Sequence, residues 1–180
     1  MDTPGARRPT PGFRYMTLSH RWGKAAMAAA GGSICALALL GGRSGLTRLL
    51  AARGLPCQAL ARADGNDPVL APIRDWLEAL LIRGQCHALP VSVDPPPGTP
   101  FQKSVWREIS KIPRGETRTY REIARKIGNP LAARAVGAAA ASNPIPPLIP
   151  CHRLTAAGGG LRGYTGSLEM KRWLLDIERP

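Results

Sequence analysis

Between Asn143 and Leu154 the chain reads Asn-Pro-Ile-Pro-Pro-Leu-Ile-Pro-Cys-His-Arg-Leu. Cys151, the strongest nucleophile among side chains once ionised, stands next to His152, the side chain that titrates near neutrality. Pro144, Pro146, Pro147 and Pro150 fix φ and remove backbone donors, which predicts neither helix nor central strand here. The expectation is a stiff apolar loop that presents Cys151 as a nucleophile to something the loop helps to enclose. Cys86-His87 is an internal control. It follows Gly84-Gln85 at the end of a predicted helix, lacks the proline frame, and is expected to be structural.

Two further residues fit poorly where their local sequence puts them. Glu178 closes the last predicted helix, at the end where the macrodipole disfavours an anion. That misfit calls for a cationic or imidazole partner. Lys171 and Arg172 are the local candidates, and His152 is the chemically interesting one, because a carboxylate orients an imidazole and favours its charged form. Arg134 is the single charge on Leu131–Ala141, a helix otherwise of Ala, Val and Gly. Such a helix suits close approach to another surface with one guanidinium projecting. It equally suits an Ala-rich core helix with Arg134 at its solvent edge.

The chain that must position these groups has 180 residues and a formal charge of +13. The charge is uneven: +4 over residues 1–24, +1 over 25–97 and +8 over 98–180. The half that carries the Pro-Cys-His loop therefore favours a polyanionic partner. Cys35, Cys57, Cys86 and Cys151 show no paired spacing and no Cys-x-x-Cys, which predicts reduced thiols in a cytoplasmic protein without a metal site. The apolar run Ala25–Leu40 is too short to span a membrane, which needs roughly 20 residues.

Residues 1–24 read as a disordered basic leader. Ser33–Leu40 reads as a buried strand, Leu46–Leu50 as a second strand or short helix, and His87–Val93 as a strand. Asp67 followed by Pro68 predicts the start of a helix with Ile73, Trp76, Leu77 and Leu80 on one face, stopped at Gly84. Asp94–Gly98 reads as a stiff linker, dividing a 25–97 domain from a 98–180 domain. Thr99 with Gln102, and Thr119 with Glu122, are capping boxes. The first opens a helix bearing Phe101, Val105, Ile109 and Ile112; the second opens one bearing Tyr120, Ile123, Ala124 and Ile127. Asn129-Pro130 is expected to cap the helix Leu131–Ala141, so the pair reads as helix-turn-helix. A glycine-rich loop, Ala156–Gly166, precedes a last helix capped by Ser167, with Met170, Trp173, Leu174 and Ile177 inward.

Taken in order, Gly98-Thr99-Pro100-Phe101-Gln102, Val105-Trp106, Ile112-Pro113-Arg114-Gly115-Glu116-Thr117, Thr119-Tyr120, Ala132-Ala133-Arg134-Ala135-Val136-Gly137, Asn143-Pro144, Ile149-Pro150-Cys151-His152-Arg153 and Gly163-Tyr164 resemble the O6-alkylguanine-DNA alkyltransferases. The resemblance is close from Gly98 to Glu178 and faint before it. It implies that Cys151, made a thiolate by its neighbour His152, takes an alkyl group irreversibly from guanine O6, that His152 deprotonates the thiol through a water, and that Glu178 orients His152. It implies further that Asn143 braces the turn into the active loop and that Tyr120 donates to guanine N3 and crowds the phosphate. Arg134 would fill the vacated base stack, with Thr119, Ala132, Ala133, Ala135 and Gly137 against the DNA. Pro146, Leu154, Tyr164 and Thr165 would surround the flipped base.

The fold so implied is an α/β N-terminal domain, a small antiparallel sheet with helices, followed by a mostly α helix-turn-helix (winged-helix-like) domain. The implied partner is double-stranded DNA carrying O6-alkylguanine, met in the minor groove by a monomer that needs no cofactor, metal or membrane. Leu154 stands where Val or Ile is usual, a mild change of pocket shape. The zinc ligands of some relatives have no match. Residues 1–32 hold no Cys, so the resemblance is to the stand-alone repair type rather than to the fused regulators, and Cys151 sets the chain apart from lesion-binding relatives that lack the reactive thiol.

Overall fold

The computed structural model of the protein describes residues 12–58, 60–89 and 97–179. Strands β1 (Phe13–His20), β2 (Gly23–Ala30) and β3 (Ser33–Ala38) form an antiparallel meander, and β4 (Leu60–Arg62) joins the outer side of β1. The order is β3-β2-β1-β4, and β4 runs parallel to β1. The sheet is therefore mixed, not purely antiparallel as expected. The reason lies in α1 (Gly42–Ala51), which carries the chain across the sheet before β4, as a parallel connection requires.

Residues 13–24 are not a leader: they form β1, the turn after it and the first two residues of β2. The Pro- and Arg-rich composition of the first residues hid the alternation in Phe13–His20; the rest of the expected leader, residues 1–11, lies outside the described residues. The alanine run was also underread. Ala25 to Ala29 form the centre of β2, with no exposed surface, because both faces of the sheet are covered. Ala26, Ala28 and Ala36 lie under Leu46 and Leu50 of α1. Met27, Ala29 and Leu37 join the other core, with Ile73 and Leu77 of α2 (Leu70–Leu81). Gly31 and Gly32, with φ of 58° and 82°, make the two-residue turn between β2 and β3, a conformation that suits glycine at both places.

Of the alternatives left open at Leu46–Leu50, the helix is correct. Asp67 works as a cap although regular helix begins at Leu70: its Oδ1 accepts from Val69 and Leu70 N–H, both at 3.0 Å. Residues 87–89 form no strand; residues 90–96, with the rest of that expected strand and most of the linker, lie outside the described residues.

The second half follows its punctuation closely. Both capping boxes are present, opening α3 (Pro100–Ser110) and, after the short β5 (Arg118–Thr119), α4 (Tyr120–Lys126). The next helix, α5 (Ala133–Ala141), starts two residues later than expected and has no side-chain cap, because Pro130 leads into a turn rather than the first helical turn. Trp106 lies fully buried among these helices and donates its indole N–H to Ala139 O at 2.8 Å. The segment Cys151–Arg153 is a 3-10 turn, not extended loop, followed by β6 (Leu154–Thr155). Ser167 caps α6 (Leu168–Glu178) by accepting from Met170 N–H at 3.0 Å. Among the described residues no helix is long and apolar enough to cross a membrane.

Candidate active site

Position of the thiol is set by three short-range devices. Asn143, 1% exposed, accepts from Ile145 N–H at 3.1 Å and donates through Nδ2 to Ile149 O at 2.8 Å and to Cys151 Sγ at 3.2 Å. One amide thus closes the proline-rich loop on itself and touches the sulfur. Cys151 N–H donates to Ile149 O at 2.8 Å, turning the chain into the 3-10 segment. Parallel pairing of Arg118 with Leu154 and Thr119 with Thr155 then ties the start of α4, with Tyr120, to the residues just after the thiol.

His152 and Glu178, expected as partners, are hydrogen-bonded. His152 donates Nε2–H to Glu178 Oε1 at 2.9 Å, and both side chains are almost wholly buried. The carboxylate fixes this tautomer and leaves the Nδ1 lone pair as the basic site. Nδ1 has no hydrogen-bond partner among the described residues. Glu178 has a second partner that the sequence reading passed over. Arg153 clamps it with Nε at 2.9 Å and Nη2 at 2.8 Å, and its Nη1 reaches Ile112 O at 2.7 Å. Arg153 sat in view in the Cys-His-Arg run, but its distance from Glu178 in sequence concealed the pairing. Lys171, a local candidate for that role, instead donates to Arg162 O at 2.9 Å.

The electrostatics correct two expectations. Burial pushes the Cys151 thiol up to about 11, and the Asn143 hydrogen bond and the Lys171 charge only partly oppose it. The resting group is therefore a thiol, not a thiolate made by its neighbour. Burial likewise lowers His152, outweighing the opposite pull of Glu178, so the imidazole is neutral at neutral pH. A neutral imidazole is the form that can take a proton. Glu178 is held at about 2: burial would raise it, but hydrogen bonds from His152 and Arg153 prevail. Lys171 has no exposed surface, and its nearby charge favours the thiolate. Sequence reading missed this role because a lysine on an amphipathic helix reads as surface.

The remaining predicted residues fall into two groups. Thr119, Tyr120, Ala133, Arg134 and Gly137 line one groove of about 450 Å³ with Arg162 and Gly163 of the glycine-rich loop. Arg134 and Ala135 are exposed on the outer face of α5 while Val136, Ala139 and Ala140 enter the core, so α5 is a core helix with Arg134 at its solvent edge. Ala132 sits half-buried just before α5. Pro146 and Thr165 share a second cleft, about 280 Å³, with Asn143 and Arg48. Tyr164 is wedged edge-on to His152. Leu154 departs from expectation, since its side chain is fully buried in the core and presents no wall to an open pocket. Cys151 itself is 6% exposed. Cys86 contacts the Ile177 carbonyl, and burial raises its pKa.

Alone, this constellation is a buried thiol followed in the chain by a neutral imidazole that a carboxylate orients. Comparison with known proteins narrows it. Residues 100–180 match the family described as "6-O-methylguanine DNA methyltransferase, DNA binding domain". The chain is 57% identical over 83 residues to a methylated-DNA–protein-cysteine methyltransferase of Methanosarcina acetivorans, covering 46% of this chain and 53% of the relative. It is 54% identical over 82 residues to that of Mycobacterium tuberculosis, covering 46% and 50%. The matched stretch thus spans about half the length of these curated relatives. Over nearly the whole chain the fold is similar to the crystal structure of M. tuberculosis O6-methylguanine methyltransferase, with TM-score 0.73, 34% identity and 93% of each chain covered. It is similar also to M. tuberculosis OGT in complex with DNA, with TM-score 0.75, 35% identity and 92% of each chain covered.

Proposed function

The chain belongs to the methylated-DNA–protein-cysteine methyltransferase family, and from that premise we propose that it repairs O6-alkylguanine in duplex DNA by moving the alkyl group, once per molecule, onto Cys151. The observation that carries this reading is the Cys151–His152–Glu178 array, with a neutral imidazole whose free Nδ1 is the local base for a protonated thiol.

The thiol proton passes through a water to His152 Nδ1, and Glu178 and Arg153 stabilise the imidazolium that forms. Sγ displaces the alkyl carbon, the C–O bond breaks, and the electron pair leaves with guanine. Tyr120 at guanine N3 donates a hydrogen bond as that charge develops. The thioether is stable, so no turnover follows and no co-reactant is consumed. O4-alkylthymine offers the same displacement and is a second substrate to assay.

A paired base hides its O6, so the nucleotide rotates out at a cost of a few kcal/mol, less for a damaged pair. The groove beside Arg134 supports a winged helix-turn-helix mode in which α5 enters the minor groove as a monomer, small residues allow close approach, and Arg134 fills the stack. Minor-groove edges discriminate sequence poorly, which suits a protein acting in any context. We place it in the cytoplasm, where reducing conditions keep Cys151 free.

The test is to incubate the protein with a duplex containing one O6-methylguanine and weigh the intact protein. One added methyl on Cys151 is expected. No transfer under reducing conditions, or more product than protein, overturns the reading.

A further inference from the structure

Two buried side-chain atoms lack a hydrogen-bond partner among the described residues: His152 Nδ1 and the hydroxyl oxygen of Tyr164. They belong to adjoining rings. The two rings stand edge-on with centroids 6.3 Å apart and an interplanar angle of 79°. Buried hydroxyls and ring nitrogens in native proteins are nearly always paired, so two unpaired ones on adjoining rings point to a shared partner.

Packing holds the phenol in place. A Cβ on Gly166 would come within 3.0 Å of the Tyr164 ring and 2.6 Å of Met170 Sδ, so the turn into α6 passes tightly against this ring. Burial first, then the charges of Cys151 and Glu178, raises the phenol well above its ordinary range, so it remains a donor at every relevant pH. Tyr120 differs, because its hydroxyl already donates to Arg162 O at 3.4 Å. The thiol, for its part, has Asn143 Nδ2 as its side-chain partner, a donor that cannot take its proton. The proton must reach Nδ1 across a gap, and a buried water needs two or more polar partners to be held there.

We propose that Tyr164 is a positioning residue for proton transfer: its hydroxyl, with His152 Nδ1, holds the single water through which Cys151 Sγ is deprotonated. The water oxygen accepts from Tyr164 O–H and from the thiol S–H, which fills both lone pairs and aims one of its own O–H bonds at Nδ1. The thiol proton moves to the water, a water proton moves to Nδ1, and the phenol keeps its own. The inference rests on the alkyl transfer proposed above and extends it to a residue otherwise assigned only to the pocket wall.

Tyr164→Phe keeps the ring and removes the hydroxyl. Single-turnover transfer from an O6-methylguanine duplex is measured across pH for wild type and variant, with duplex affinity and Tm alongside. The expected result is about a 10-fold slower transfer at pH 7, the loss of one oriented hydrogen bond. Affinity stays within about 2-fold, and the deficit shrinks as pH rises toward the thiol's own pKa, where solvent hydroxide replaces the relay. Equal rates at every pH, or a pH-independent loss that tracks weaker binding, overturns the role of the hydroxyl while leaving alkyl transfer intact. A wild-type protein that transfers nothing overturns both.

Discussion

The backbone N–H of Leu37, on the free edge of β3, donates to the carbonyl of Pro144 at 2.7 Å. The sheet of the first half therefore hydrogen-bonds the loop that carries the thiol in the second. Arg53, after α1, reinforces the same junction. Its guanidinium donates to Ser142 O at 3.2 Å and to Pro97 O, and stands 5.6 Å from the Trp106 ring centre. Arg53→Ala removes two charged hydrogen bonds, one of them exposed, and a cation–π contact, together roughly 2 kcal/mol. The expected outcome is a Tm lower by several degrees, at about 2–4 °C per kcal/mol, and slower methyl transfer with duplex affinity retained. Unchanged Tm and rate would show that the first half does not brace the loop.

Cys151→Ala is expected to abolish transfer while leaving binding to a lesion-bearing duplex intact, read by gel shift beside the mass assay. In the free protein, alkylation of Cys151 by a small thiol reagent should be slow at pH 7 and climb toward about pH 11. Because the folded value lies above that of an unfolded thiol, this group stabilises the fold fully below about pH 9, and the contribution is lost as pH rises through about 11. Asn143→Ala removes a donor that favours the thiolate, so its reactivity profile should shift further toward alkali.

Glu178 works in the opposite sense. Its folded value, about 2, lies below the ordinary carboxylate range, so its contribution is present above about pH 4.5 and disappears as pH falls through 2. That contribution is at most about 3 kcal/mol at neutral pH, at 1.36 kcal/mol per pKa unit. Glu178→Gln should flatten the acid limb of a stability–pH curve and slow transfer at neutral pH. An acid limb identical to wild type would contradict the buried His152–Glu178–Arg153 cluster.

Arg134→Ala should weaken repair chiefly by raising the cost of extruding the base, seen as a larger rate loss on a paired lesion than on one in a single strand. Leu131, 95% exposed just before α5, escaped the sequence reading. A large apolar side chain presented beside Arg134 suits contact with the groove wall. Leu131→Lys should therefore bind duplex DNA with a salt slope steeper by about one, the signature of an added phosphate contact. An unchanged slope would place residue 131 away from the DNA.

How much the sequence determined follows from how local each decision was. The capping boxes at Thr99 and Thr119, the Ser167 cap and the proline frame around Cys151 are settled by side chains bonding within a few residues of their own backbone. They were legible in order and spacing. The tertiary structure decided what depends on distant partners. It made β4 parallel, put Phe13–His20 into the sheet instead of a leader, and chose Arg153 over Lys171 as the cation on Glu178. It also turned the expected thiolate into a buried thiol, because desolvation depends on what surrounds a group and not on its neighbour in sequence. Residue types fix which protons can move; only packing fixes the pKa values and distances that decide where they go.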